Sequence, residues 1–121
     1  MLCGIYLNGH LIFWVMEDIV NVRPRIHVFV CVNNRCGIAG NIKPSCGPTI
    51  TPEMVKEVKL WLRMRGLTSV VYCTLVKCLG FCSTDGGVMC VYPQGRFVKG
   101  LLTVEDIKKV IGEEMSRVGI D

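Results

Sequence analysis

Apolar positions change period along the chain, and the changes outline the secondary structure. Ile26-His27-Val28-Phe29-Val30 is a compact β-branched and aromatic run preceded by Pro24. It predicts a strand. The stretch Asn33 to Pro48, rich in Asn, Gly, Pro and Cys, predicts a long loop after it. Thr51-Pro52-Glu53 reads as a helix start, with a hydroxyl N-cap, proline at the first helical position and an acid near the positive end of the helix dipole. The predicted helix runs to Gly66, with Met54, Val55, Val58, Trp61 and Leu62 forming one apolar stripe. Thr68 to Leu75 is a second β-branched run, so the helix between two strands makes a βαβ unit with parallel strands. Val88 to Tyr92 and Arg96 to Lys99 are short runs joined by Pro93-Gln94-Gly95, which predicts an antiparallel hairpin. Thr103-Val104-Glu105-Asp106 resembles a capping box, and Val104, Ile107, Val110, Ile111 and Met115 give the last helix its apolar face. The fold class that follows is α/β with a four-stranded mixed sheet: a βαβ unit, a β-hairpin and a C-terminal helix.

Residues 1–24 differ from the rest. Leu11-Ile12-Phe13-Trp14-Val15-Met16 is strongly apolar, and Asn8-Gly9 separates it from Ile5-Tyr6-Leu7, which is a hairpin signal. Two readings stand side by side: an extra hairpin packed on the domain, or a poorly ordered leader. The first Arg is Arg23 and Glu17-Asp18 follow the apolar run, which argues against a secretory signal. Residues 25–121 form the expected domain.

Of 121 residues, 50% are hydrophobic and 20% charged, which excludes a disordered chain. No run reaches the ~20 apolar residues needed to span a bilayer. The net charge of +4 is uneven: residues 23–65 carry eight Lys/Arg against Glu53 and Glu57, a net of +6, while residues 105–121 sum to −2. The basic part lacks interleaved aromatics, so nucleic acid is not an expected ligand, whereas an acidic protein partner is compatible with it.

The eight cysteines lie at positions 3, 31, 36, 46, 73, 78, 82 and 90. Cys31 closes the first predicted strand of the domain, Cys36 and Cys46 lie in the loop after it, and Cys78 and Cys82 follow the next strand. Loops at the carboxyl ends of adjacent parallel strands meet in one crevice, so these thiols are candidate metal ligands. A structural zinc takes four thiolates tetrahedrally, commonly from paired knuckles, and Cys78 with Cys82 supplies half of such a set. A [2Fe–2S] cluster spreads four thiolates over two irons and tolerates wider spacing, as with Cys31, Cys36 or Cys46, Cys78 and Cys82. Thiol–disulfide exchange ranks last, because no C-x-x-C occurs.

His27-Val28-Phe29-Val30-Cys31, Pro44-Ser45-Cys46, Cys78-Leu79-Gly80-Phe81-Cys82 and Val91-Tyr92-Pro93-Gln94-Gly95 stand in the order found in the thioredoxin-like [2Fe–2S] ferredoxins, which residues 26–115 resemble. The small iron–sulfur subunit of NADH dehydrogenase and of NAD-linked hydrogenases and formate dehydrogenases carries the same motifs. The resemblance implies a thioredoxin-like fold, one [2Fe–2S] cluster near the surface, one-electron transfer and, in free-standing members, often a homodimer. It implies Cys31, Cys46, Cys78 and Cys82 as ligands, with Cys36 as the alternative to Cys46. The subunit branch places its second ligand as Cys36 is placed, whereas the free ferredoxins place it later, as at Cys46. The Arg35–Cys46 loop length and the helix start just beyond favour Cys46. Where the family usually reads Gly-Pro-Val, this chain has Gly86-Gly87-Val88.

The expected function is therefore an electron carrier, working alone or within a multisubunit oxidoreductase, rather than a stand-alone enzyme. Its expected partner is a redox protein such as a reductase, a hydrogenase or a dehydrogenase subunit. The alternative is a zinc-stabilised or metal-free thioredoxin-like binding subunit. Cys73 and Cys90 read as small buried hydrophobes, Cys3 as incidental and His27 as a structural strand residue. Asp85 reads as solvated. Arg35, Lys43 and Lys77 flank the loops as candidate docking charges, and Gly80 would let backbone approach the sulfurs. Eight cysteines, five of them bunched in two loops and none in C-x-x-C, fit a reducing cytoplasm better than a secreted disulfide frame.

Overall fold

A computed structural model describes residues 2–7, 10–19, 24–33, 49–80 and 86–120. Strands β1 (Leu2–Leu7) and β2 (His10–Val15) pair antiparallel in a separate two-stranded sheet, with Leu7 opposite His10. The Asn8-Gly9 pair that signals the turn lies outside the described residues.

The main sheet contains β3 (Ile26–Cys31), β4 (Val71–Val76), β5 (Gly87–Tyr92) and β6 (Arg96–Leu101) in the order β4-β3-β5-β6. β3 runs parallel to β4, as expected of strands joined through a helix, and antiparallel to β5; β6 returns antiparallel along β5. Strand alternation sets the layers. Ile26, Val28 and Val30 are fully buried against helices α1 (Pro52–Met64) and α2 (Val104–Val118), while His27 and Phe29 point to the opposite, half-open face. Val55, Val58 and Leu62 of α1 join Ile107, Val110, Ile111 and Met115 of α2 in a single core with Met89 and Val91.

The helix starts follow from their caps. Thr51 Oγ1 accepts from Met54 N–H at 3.3 Å ahead of Pro52. At α2, Thr103 Oγ1 accepts from Asp106 N–H at 3.3 Å and Asp106 Oδ2 accepts from Thr103 N–H at 3.1 Å, a complete capping box with Asp in the Glu position. Gly119 ends α2 in the left-handed region, at φ 76°.

Several boundaries differ from the sequence expectation: α1 ends at Met64 rather than Gly66, β5 begins at Gly87 rather than Val88, and β4 and β6 are shifted as well. The run from Thr68 does not extend directly: Leu67 carbonyl accepts from Val70 N–H at 3.1 Å and Val71 N–H at 2.9 Å. This turn off the end of α1 holds Thr68, Ser69 and Val70, so β4 begins only at Val71. β6 continues two residues past Lys99, to Leu101, which is buried in the core. Among the described residues no helix is long and apolar enough to cross a membrane.

Candidate metal centre

The parallel register places Cys31 opposite Val76, so the last residue of β3 stands beside the last of β4. The Cys31 thiol is buried, 1% exposed, and Sγ donates to the Lys77 carbonyl at 3.5 Å. Residues 46 apart in sequence thus meet at one sheet end, and the residue after Lys77 is Cys78.

Cys78 is exposed. Its Sγ accepts from Gly80 N–H at 3.3 Å, a bond permitted by the left-handed backbone of Gly80 at φ 85°. The sequence expectation that Gly80 lets the main chain approach a sulfur is met on Cys78. An N–H directed at sulfur favours the thiolate over the thiol, which a metal ligand requires. Leu79 folds back with Val76 onto Cys31 and Val88, giving the Cys31 sulfur an apolar backing.

Cys36, Cys46 and Cys82 lie outside the described residues, as do Arg35, Lys43, Phe81 and Asp85. Two of the four expected ligands, Cys31 and Cys78, are therefore brought to one end of the sheet. Among the described residues no three Cys, His, Asp or Glu side chains gather into a metal site.

The exits of both cysteine loops are fixed against each other. Ile50, four residues after Cys46, is fully buried, and a Cβ at Gly87, five residues after Cys82, would fall 2.2 Å from Ile50 Cγ1. Gly86 adopts φ 130°, and a Cβ there would lie 2.7 Å from the Leu101 carbonyl oxygen. Gly86-Gly87 is thus a close-packed junction in which Ile50 fills the space a side chain would need.

The remaining described cysteines behave as the sequence suggests. Burial pushes the Cys73 thiol up to about 11, against a smaller opposing pull from Lys59, and burial also raises Cys90, offset in part by a backbone hydrogen bond at Phe29. Neither is poised to form a thiolate. His27 hydrogen-bonds Thr74 Oγ1 at 2.8 Å and stacks on Phe29 at 4.1 Å, a structural role, and burial lowers its pKa.

No protein-family model matches the chain. A ferredoxin of the 2Fe-2S type from Clostridium pasteurianum is 30% identical over 105 residues, spanning 82% of this chain and 99% of that protein. Two solved structures of the thioredoxin-like [2Fe-2S] ferredoxin from Aquifex aeolicus superpose with TM-scores of 0.63 and 0.62, at 24% and 25% identity. These matches cover 78% and 82% of this chain, and 88% and 86% of the other. With a parallel β3–β4 pair that carries Cys31 and Cys78 to one end of a thioredoxin-like sheet, and near-complete coverage of the Clostridium ferredoxin, the chain belongs to the thioredoxin-like [2Fe–2S] ferredoxin family.

Proposed function

We propose that the chain is a one-electron carrier that holds one [2Fe–2S] cluster through Cys31, Cys46, Cys78 and Cys82. The observation that carries the reading is the approach of the Cys31 thiol to within 3.5 Å of the Lys77 carbonyl, beside Cys78. The donors suit the group: a thiol at a buried strand end with apolar backing, and a second at the surface already accepting an N–H bond. Ligation takes the proton that Cys31 donates to Lys77 and ends that bond. The cluster supplies a centre that accepts and releases one electron. Gly80 N–H withdraws charge from Cys78 Sγ, which raises the ease of reduction. Exposed Lys77 offsets negative charge at the same end and helps draw in a partner.

The open sheet face supports a second copy of the chain as a further partner. His27, Phe29, Tyr72, Tyr92 and Phe97 form an aromatic band across all four strands, with Phe29–Tyr92 at 6.1 Å and Tyr92–Phe97 at 6.4 Å. Tyr92 and Phe97 are 43% and 46% exposed. The band carries no acid, burial lowers the pKa of its histidine, and Lys99 stands at its margin, so two copies meet there with little like charge at the centre. Phe97→Glu is expected to leave a monomer by sedimentation; an unchanged sedimentation coefficient removes this reading.

The cluster assignment is tested by visible absorption and reduced-state paramagnetic resonance of anaerobically purified wild type and single Cys→Ser variants. Wild type is expected to be reddish-brown with a reduced-state signal, and replacement at 31, 46, 78 or 82 to weaken or abolish it. A colourless wild type, with zinc in its place, overturns the proposal.

A further inference from the structure

β4 forms one edge of the main sheet, pairing only with β3 among the described strands. Val70 carbonyl accepts from Ile26 N–H and Val76 carbonyl from Val32 N–H, so the even-numbered residues of β4 turn their main chain toward β3. By strand alternation, the N–H and C=O of Cys73 and Leu75 project from the free edge. Such an edge is a template for another strand unless something blunts it. Among the described residues nothing of that kind stands here: β4 has no proline, charge or bulge, and Leu75 is 36% exposed.

The ground beside the edge is basic. A cleft of about 260 Å³ lies between α1 and β4, lined by Lys59, Leu62, Arg63, Thr68, Val71 and Cys73 among others. Lys59 is close enough to act electrostatically on the Cys73 thiol. Lys77 stands at the upper end of the edge, directly before Cys78. Among the described residues Lys59, Arg63 and Lys77 form no salt bridge. Outward main-chain donors and acceptors, an apolar side chain between them and three cations with no acid partner among the described residues describe a site for an extended, acidic segment.

We propose that the free edge of β4 receives an extended acidic segment of the protein with which this chain exchanges electrons, seated as a fifth strand. The identity of the partner rests on the electron-carrier reading; the edge and its charges do not. The segment would run toward Cys78, bringing the partner's main chain to the end of the sheet where the thiols converge.

The probe is a fluorescein-labelled peptide of alternating valine and glutamate, titrated into the holoprotein by anisotropy, with amide hydrogen exchange mapping its position. Binding is expected to slow exchange at Cys73 and Leu75, and to weaken about tenfold in Lys59→Glu/Arg63→Glu and with rising salt. Leu75→Pro removes only an outward N–H and leaves the β3 ladder intact, so a loss of at least about fivefold is expected with unchanged protection of β3 amides. Equal binding of a valine–lysine peptide, or protection away from β4, overturns the proposal. So does an edge already protected without peptide: concentration-dependent protection would assign it to a second copy, and concentration-independent protection to the chain's own exposed Met16–Ile19 segment. Anaerobically purified protein that lacks iron but still binds at β4 would refute the carrier reading and leave the edge as a peptide site.

Discussion

Replacing Gly87 with alanine probes the junction between the two cysteine loops. An ideal Cβ at this position would lie 2.2 Å from Ile50 Cγ1, 3.2 Å from Cδ1 and 3.3 Å from Cβ. Contacts under about 3 Å do not persist, and Ile50 has no exposed surface into which it can swing. The methyl must displace a fully packed side chain, so Gly87→Ala is expected to cost about 1–3 kcal/mol, the range for overpacking a core. Ile50→Ala alone should cost about 2–5 kcal/mol through lost burial and the cavity left behind. In the double variant the two atoms in conflict are gone, the remaining Cβ contact is tolerable and the new methyl occupies part of the cavity. The double variant should therefore be less destabilised than the sum of the singles by about 1–2 kcal/mol. Anaerobic urea unfolding followed by far-ultraviolet circular dichroism, with slopes compared across the four proteins, gives the cycle. Additivity within about 0.5 kcal/mol would show that Ile50 and Gly87 do not share that space.

Arg96 binds buried Glu114 at 2.8 Å; Arg96→Met should destabilise the fold by about 2–3 kcal/mol in chemical denaturation, less than the ~3–5 kcal/mol of a fully buried pair because Arg117 stays at 3.2 Å and Arg96 is partly exposed. Asp106 is held below the usual carboxylate range, chiefly by the Leu102 and Thr103 N–H groups. Its folded pKa is depressed, so its contribution is complete above the unfolded-chain value and is lost as pH falls through the lower folded value. An acid titration should therefore find Asp106→Asn less stable than wild type near neutrality, with the gap closing in acid. Thr103→Ala, which removes the reciprocal bond to Asp106 N–H, should cost about 0.5–2 kcal/mol by the same denaturation assay. Cys46→Ser is expected to abolish the visible iron–sulfur absorption while Cys36→Ser retains it, and the reverse pattern would move the second ligand to Cys36.

Local signals were sufficient wherever a residue's role depends on near neighbours. The alternation of Ile26, Val28 and Val30 with His27 and Phe29 gave both strand and face, and Thr51-Pro52 and Thr103–Asp106 gave both helix starts. The meeting of Cys31 with the start of the Cys78 loop was also legible, because a helix between two strands makes them parallel and sends both out at one end. Features that depend on distant residues were hidden. Thr68-Ser69-Val70 looks β-forming, yet the Leu67 carbonyl captures two N–H groups and keeps it in a turn. Glu114 falls within the apolar stripe of α2, and its partner Arg96 lies on β6; an acid at a core position was the available signal. Gly87 reads as a turn residue, and only packing shows that Ile50 has taken its space. Cys46 and Cys82 rest on their motifs and on the Ile50–Gly87 contact downstream of each.

Iron and acid-labile sulfide analysis of anaerobically purified protein tests the central claim most directly. Two irons and two sulfides per chain are expected, as a single [2Fe–2S] centre requires, with both lost together in Cys78→Ser. One zinc per chain, with no inorganic sulfide, would contradict the account.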